Sequence, residues 1–110
     1  MTDVVFGYVN AADADAALAI GRALVEERLA ACANILPGVH SVYRWRGAVE
    51  EAAETFLIVK THSDLAAAVQ ARVVALHGYD CPCVVFLPVA AGHAPYLDWI
   101  RALGDTPDPA

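Results

Sequence analysis

The sequence predicts an α+β domain of ferredoxin-like type, with the element order β-α-β-β-α-β and one further short helix at the end. Three observations carry this prediction. Four β-branched or aromatic runs are interrupted by two longer alanine-rich stretches of helical period. The middle two strand runs lie close together around Gly47, as a hairpin requires. The 110 residues suffice for one domain with its own core, and no repeat or internal linker divides them. The expected domain is 1–103, with 104–110 reading as a disordered tail from its composition.

Val4 to Val9 is β-branched and aromatic and reads as the first strand. Asn10 to Asp13 is a polar turn able to cap a helix over Ala14 to Ala31, whose apolar stripe is Ala17, Ile20, Leu24 and Ala31. Pro37-Gly38 reads as a turn or bend. Val39, Ser41, Tyr43 and Trp45 then alternate with His40, Val42, Arg44 and Arg46, the period of a strand. Glu54 to Thr61 is the next strand, with Phe56, Ile58 and Lys60 on one face and Leu57, Val59 and Thr61 on the other. Ser63 or Asp64 caps a second helix running to about His77, with Gly78 as its stop. Val84 to Leu87 is the last strand, ended by Pro88, and Pro95 opens a short helix, Tyr96 to Leu103.

Right-handed crossovers place both long helices on one face of the sheet and leave the other bare. Hydrophobic residues make up 58% of the chain and its mean hydropathy is +0.46. That is more apolar surface than one small core absorbs, so association of several copies is expected.

Composition also excludes functions. The net charge is −6, and the basic residues are one lysine and six scattered arginines, which disfavours nucleic acid as a partner. No apolar run reaches the roughly 20 residues a membrane span needs; Cys81 to Gly92 is too short and holds Pro82 and Pro88. The acidic start Met1-Thr2-Asp3 does not read as a signal peptide, so a cytoplasmic location is expected, with Cys32, Cys81 and Cys83 as free thiols.

The densest group of ligand-type side chains is His77-Gly-Tyr-Asp-Cys-Pro-Cys83. In an extended segment residues two apart face the same way, which points Cys81 and Cys83 together with His77 close by. Thiolate and imidazole suit copper and zinc. The same residues also read as small packed thiols and a histidine at a helix end. Cys32 reads either as a buried thiol or as a further ligand. Lys60 is either an exposed strand end or a paired cation, with Glu50, Glu51, Glu54 and Asp80 as candidate partners. Tyr43 and Trp45 share a strand face and either pack against a neighbour or line a pocket. No nucleophile–base pair or phosphate loop stands out, so an enzyme is not expected.

Ala31 to Gly47 (Ala-Cys-Ala-Asn-Ile-Leu-Pro-Gly-Val-His-Ser-Val-Tyr-Arg-Trp-Arg-Gly) resembles the characteristic segment of the CutA family, the divalent-cation tolerance proteins. Phe56 to Thr61, His77 to Cys83, and Leu87-Pro-Val89 followed by Gly92 and Tyr96-Leu-Asp-Trp99 resemble the same family in the same order, so the likeness runs from about Val4 to about Leu103. The resemblance implies a homotrimer similar to the PII signalling trimers, with hairpin strands pairing across subunits. It also implies a role in tolerance of copper or other divalent cations, and no reaction. Tyr43, Trp45, Lys60 and Tyr79 would shape an inter-subunit cleft, Tyr79 by the motif match alone, with Cys32, His77, Cys81 and Cys83 as the metal candidates. A PII-like trimer holding a small organic anion against Lys60 is the alternative. The chain departs from the family pattern after the second helix. Gly78 stands for proline, Asp80 for glutamate, and Cys83 for the glutamate after Pro82, which puts sulfur in place of oxygen.

Overall fold

β1, Val4–Ala11, alternates Val5, Gly7 and Val9 toward one face of the sheet with Phe6, Tyr8 and Asn10 toward the other. A computed structural model describes residues 2–105 of the chain. The remaining elements are α1 (Ala14–Glu26), β2 (Cys32–Trp45), β3 (Ala48–His62), a single 3-10 turn (Ser63–Leu65), α2 (Ala66–Leu76), β4 (Val84–Pro88) and α3 (Ala94–Arg101). The strands form one antiparallel sheet in the order β2-β3-β1-β4, which is the ferredoxin-like arrangement the sequence predicts.

α1 and α2 share one face. Ala17, Ile20 and Leu24 of α1 and Val69 and Val73 of α2 close over Val9, Leu57 and Val59, all buried. Gly21 lets α1 cross β2 closely, since an added Cβ there would lie 3.0 Å from Ala33 Cβ. Thr61 Oγ1, buried on this side of β3, donates to Leu29 O at 2.7 Å. α1 is tied to α2 by Arg72, whose guanidinium donates to both oxygens of Glu27 at 2.9 Å.

β2 and β3 start earlier than the sequence reading, at Cys32 and Ala48, and α3 spans Ala94–Arg101 rather than Tyr96 to Leu103. Three further departures have a local physical reason. α1 ends at Glu26, not Ala31: Arg28 takes a left-handed conformation (φ 62°) and Leu29 N–H returns to Leu24 O. Such endings are usually marked by glycine, and none stands here. The second helix is entered through the 3-10 turn, and His62 Nδ1, not a hydroxyl or carboxylate of Ser63 or Asp64, accepts the first free N–H, that of Asp64. Pro37-Gly38 is no turn. It is a bulge inside the continuous strand β2, where the two residues stand opposite the single Thr55 between the pairs Leu36–Phe56 and Val39–Glu54.

α3 packs on the opposite face from α1 and α2. Its Leu97 and Ile100 close over Val4 and Ala31 at one end of the sheet, with Phe6, Tyr96 and Trp99 around them. The second face is therefore only half bare. Its open half carries Tyr8, Leu36, Val85 and Leu87, which are 38–57% exposed. Beyond it the β2–β3 hairpin runs on to a two-residue turn, Arg46-Gly47, both at positive φ (52° and 84°), which drives the molecule's long dimension to 47 Å. Gly104 N–H bonds Trp99 O and Asp105 pairs with Arg28, so the start of the expected tail lies against α3; residues 106–110 lie outside those described.

Candidate functional site

A cleft of about 600 Å³ opens where the outer hairpin meets the end of the open sheet face. Ser41, Tyr43 and Trp45 form its β2 wall. Glu50, Glu54 and Phe56 line it from β3 and Asn10 from β1. The segment after α2 closes the other side with Tyr79, Asp80, Cys81 and Cys83.

The bulge decides which side chains enter. Before it, even-numbered residues of β2 pair with even-numbered residues of β3; after it, odd-numbered ones do, as in Tyr43–Glu50. Paired residues share a face, so Ser41, Tyr43 and Trp45 join Glu50 and Glu54 in the cleft. If the same sequence paired one-to-one through Pro37-Gly38, they would stand on the helix-covered side.

The 77–83 segment is held by polar contacts, not by regular structure. His77 Nε2–H donates to Asn10 O at 2.5 Å and Nδ1 accepts Tyr79 N–H at 3.0 Å, which fixes a neutral imidazole with both nitrogens engaged. Asn10 Oδ1 accepts Cys83 N–H at 2.9 Å. Glu54 Oε2 accepts from both Asn10 Nδ2 and Tyr79 Oη–H at 3.2 Å. At the rim Arg46 reaches across to Asp80 at 3.6 Å. Burial, and then the Glu54 charge, push the Tyr79 phenol above its ordinary range. The Cys83 thiol is raised by burial first, then by Glu54 and Cys81.

Of the residues singled out in the sequence, Tyr43, Trp45, Tyr79, Cys81 and Cys83 line this cleft. Lys60, Cys32 and His77 do not. Lys60 lies six residues along β3 from Glu54, about 20 Å at the usual rise, where its Nζ donates to Tyr96 Oη at 2.9 Å and sits over the Phe6 and Tyr96 rings. Its partner is a phenol and not one of the expected carboxylates, because α3 folds back over this face. Cys32 stands directly opposite Lys60, equally far from the cleft. The sequence reading missed Asn10 and Ser41, and took Glu50, Glu54 and Asp80 only as partners for Lys60. The signal for the glutamates was present: Glu50, Glu54 and Phe56 recur at even spacing on one strand face.

Chemically, the lining offers three carboxylates, two thiols and two phenols, and neither lysine nor arginine belongs to it. Among the described residues, no three His, Cys, Asp or Glu side chains converge as a ready-made metal centre.

The family profile described as "CutA1 divalent ion tolerance protein" matches residues 5–103. The chain belongs to the CutA1 family. It is 52% identical over 87 residues to the divalent-cation tolerance protein CutA of Thermus thermophilus, covering 79% of this chain and 84% of that one. The crystal structure of CutA from Xylella fastidiosa superimposes with a TM-score of 0.90 at 39% identity, covering 94% of this chain and all of that one. The structure from Archaeoglobus fulgidus, described as the periplasmic divalent cation tolerance protein CutA, gives 0.88 at 38% identity, covering 93% and 99%. The chain spans about half the length of some relatives, 55% of the human protein CutA and 53% of the chloroplastic rice protein. CutA1 relatives thus carry chloroplastic and periplasmic descriptions, so membership does not fix a compartment. No helix among the described residues is long and apolar enough to cross a membrane.

Proposed function

We propose that this CutA1 chain is a homotrimeric, metal-responsive binding protein that takes copper or another divalent cation into the cleft beside the hairpin. One observation carries the reading: the cleft collects the carboxylates of Glu50, Glu54 and Asp80 and the thiols of Cys81 and Cys83, with no basic side chain in its lining. Oxygen and sulfur donors in an anionic setting suit a cation. Glu50, Glu54 and Asp80 would hold a harder ion and the thiols a softer one, and a bound ion would supply charge and cross-linking, with no reaction. Among the described residues a single chain does not bring three such groups to a point, which supports a seam between copies as the place where the set is completed. The exposed Tyr8, Leu36, Val85 and Leu87 supply the apolar surface for that association. A small anion held against Lys60 lacks support, because Lys60 is remote from the cleft and occupied by Tyr96.

Titration calorimetry with Mn(II) tests the carboxylates. The wild type should bind, and the triple variant Glu50→Gln, Glu54→Gln, Asp80→Asn should bind at least about tenfold more weakly, near 1.4 kcal/mol. Equal affinity in both proteins would refute the assignment.

A further inference from the structure

The two thiols of the cleft differ in kind from its carboxylates, and the carboxylates alone do not account for them. Cys81 and Cys83 both line the cleft, both are free, and only Pro82 separates them. Proline fixes its own backbone φ, so the path between the two thiols has little freedom. Cys83 is anchored by its N–H on Asn10 Oδ1, while Cys81 is exposed. The arrangement presents one fixed sulfur and one accessible sulfur at the same wall.

We propose that Cys81 and Cys83 form a two-sulfur site that selects a soft monovalent ion, Cu(I), over the divalent ions taken by the carboxylates. This deepens the cation reading of the same cleft and rests on it. Coordination number is the deciding argument. Divalent oxygen-seeking ions need four to six or more donors, and no three-ligand set is preassembled among the described residues. Cu(I) is satisfied by two thiolates. Binding is balanced as two thiols plus Cu(I) giving a bis-thiolate copper(I) anion and two protons released to solvent; copper keeps its oxidation state and no electron moves. Trp45, Phe56 and Tyr79 wall the same cleft.

The test compares two full-length proteins, Cys32→Ser and Cys32→Ser with Cys81→Ser and Cys83→Ser, so that the distant thiol contributes to neither. Cu(I) is supplied without oxygen from a chromophoric chelator, and Mn(II) is titrated into the same samples. The expected result is stoichiometric Cu(I) uptake with a thiolate charge-transfer band in the first protein, its loss in the second, and unchanged Mn(II) binding and thermal unfolding in both. Cu(I) retained by the triple variant overturns the proposal, as does failure of the Cys32→Ser protein to take Cu(I). In the latter case, Mn(II) binding leaves the broader cation reading standing, and absence of both ions removes that reading too.

Discussion

Replacing Leu36 or Val85 with aspartate should turn the proposed trimer into single chains. Leu36 lies on β2 and Val85 on β4, and both point to the open half of the sheet, 40% and 48% exposed. If neighbouring copies cover that half, sealing the 40–48% of such a side chain that is still exposed contributes about 0.6–1.4 kcal/mol. A carboxylate in its place forfeits this and adds the cost of an unpaired buried charge, several kcal/mol more. Each 1.4 kcal/mol is tenfold in a dissociation constant, so a shift of roughly 100-fold or more is expected at every seam. Neither residue belongs to the buried cluster under α1 and α2, so the subunit should keep its far-ultraviolet dichroism. Sedimentation equilibrium reads the outcome directly. Variants that hold the wild-type mass would mean that the open half faces water, not a second copy.

Inserting one glycine between Glu54 and Thr55 should disable the cleft without unfolding the domain. The insertion gives Pro37 and Gly38 one partner each and restores one-to-one pairing of β2 with β3. Every residue of the hairpin beyond it then changes face. Tyr43, Trp45, Glu50 and Glu54 leave the cleft together. The cleft then keeps only one of its three carboxylates, so Mn(II) affinity should fall by at least about tenfold. In a Trp99→Phe background, Trp45 emission reports the rotation. Unaltered emission together with unaltered Mn(II) affinity would show that the bulge does not set the face.

The order of elements was legible because each strand and helix carries its own period, and the core follows from it: Leu57, Val59 and Thr61 are buried as their alternation requires. The even-spaced aromatic wall of the cleft was legible for the same reason. What was hidden depended on non-local packing. α3 folds onto the face opposite the other helices, and that placement gives Lys60 its phenol partner and takes it out of the cleft. His77 looked available as a ligand, yet the chain spends both its nitrogens on backbone groups of Asn10 and Tyr79 to hold the 77–83 segment. Pro37-Gly38 looked like a turn because the same residues serve turns and bulges. Only the strand partner, with a single Thr55 opposite the pair, separates the two.

These features converge on one claim, that the acidic, thiol-bearing cleft of this CutA1 chain is a cation site. Equilibrium dialysis of the reduced, metal-stripped protein against copper and against manganese, with elemental analysis of each size-resolved species, measures it most directly. The account predicts stoichiometric metal on a particle of three chains. A stripped trimer that takes up neither metal would contradict it.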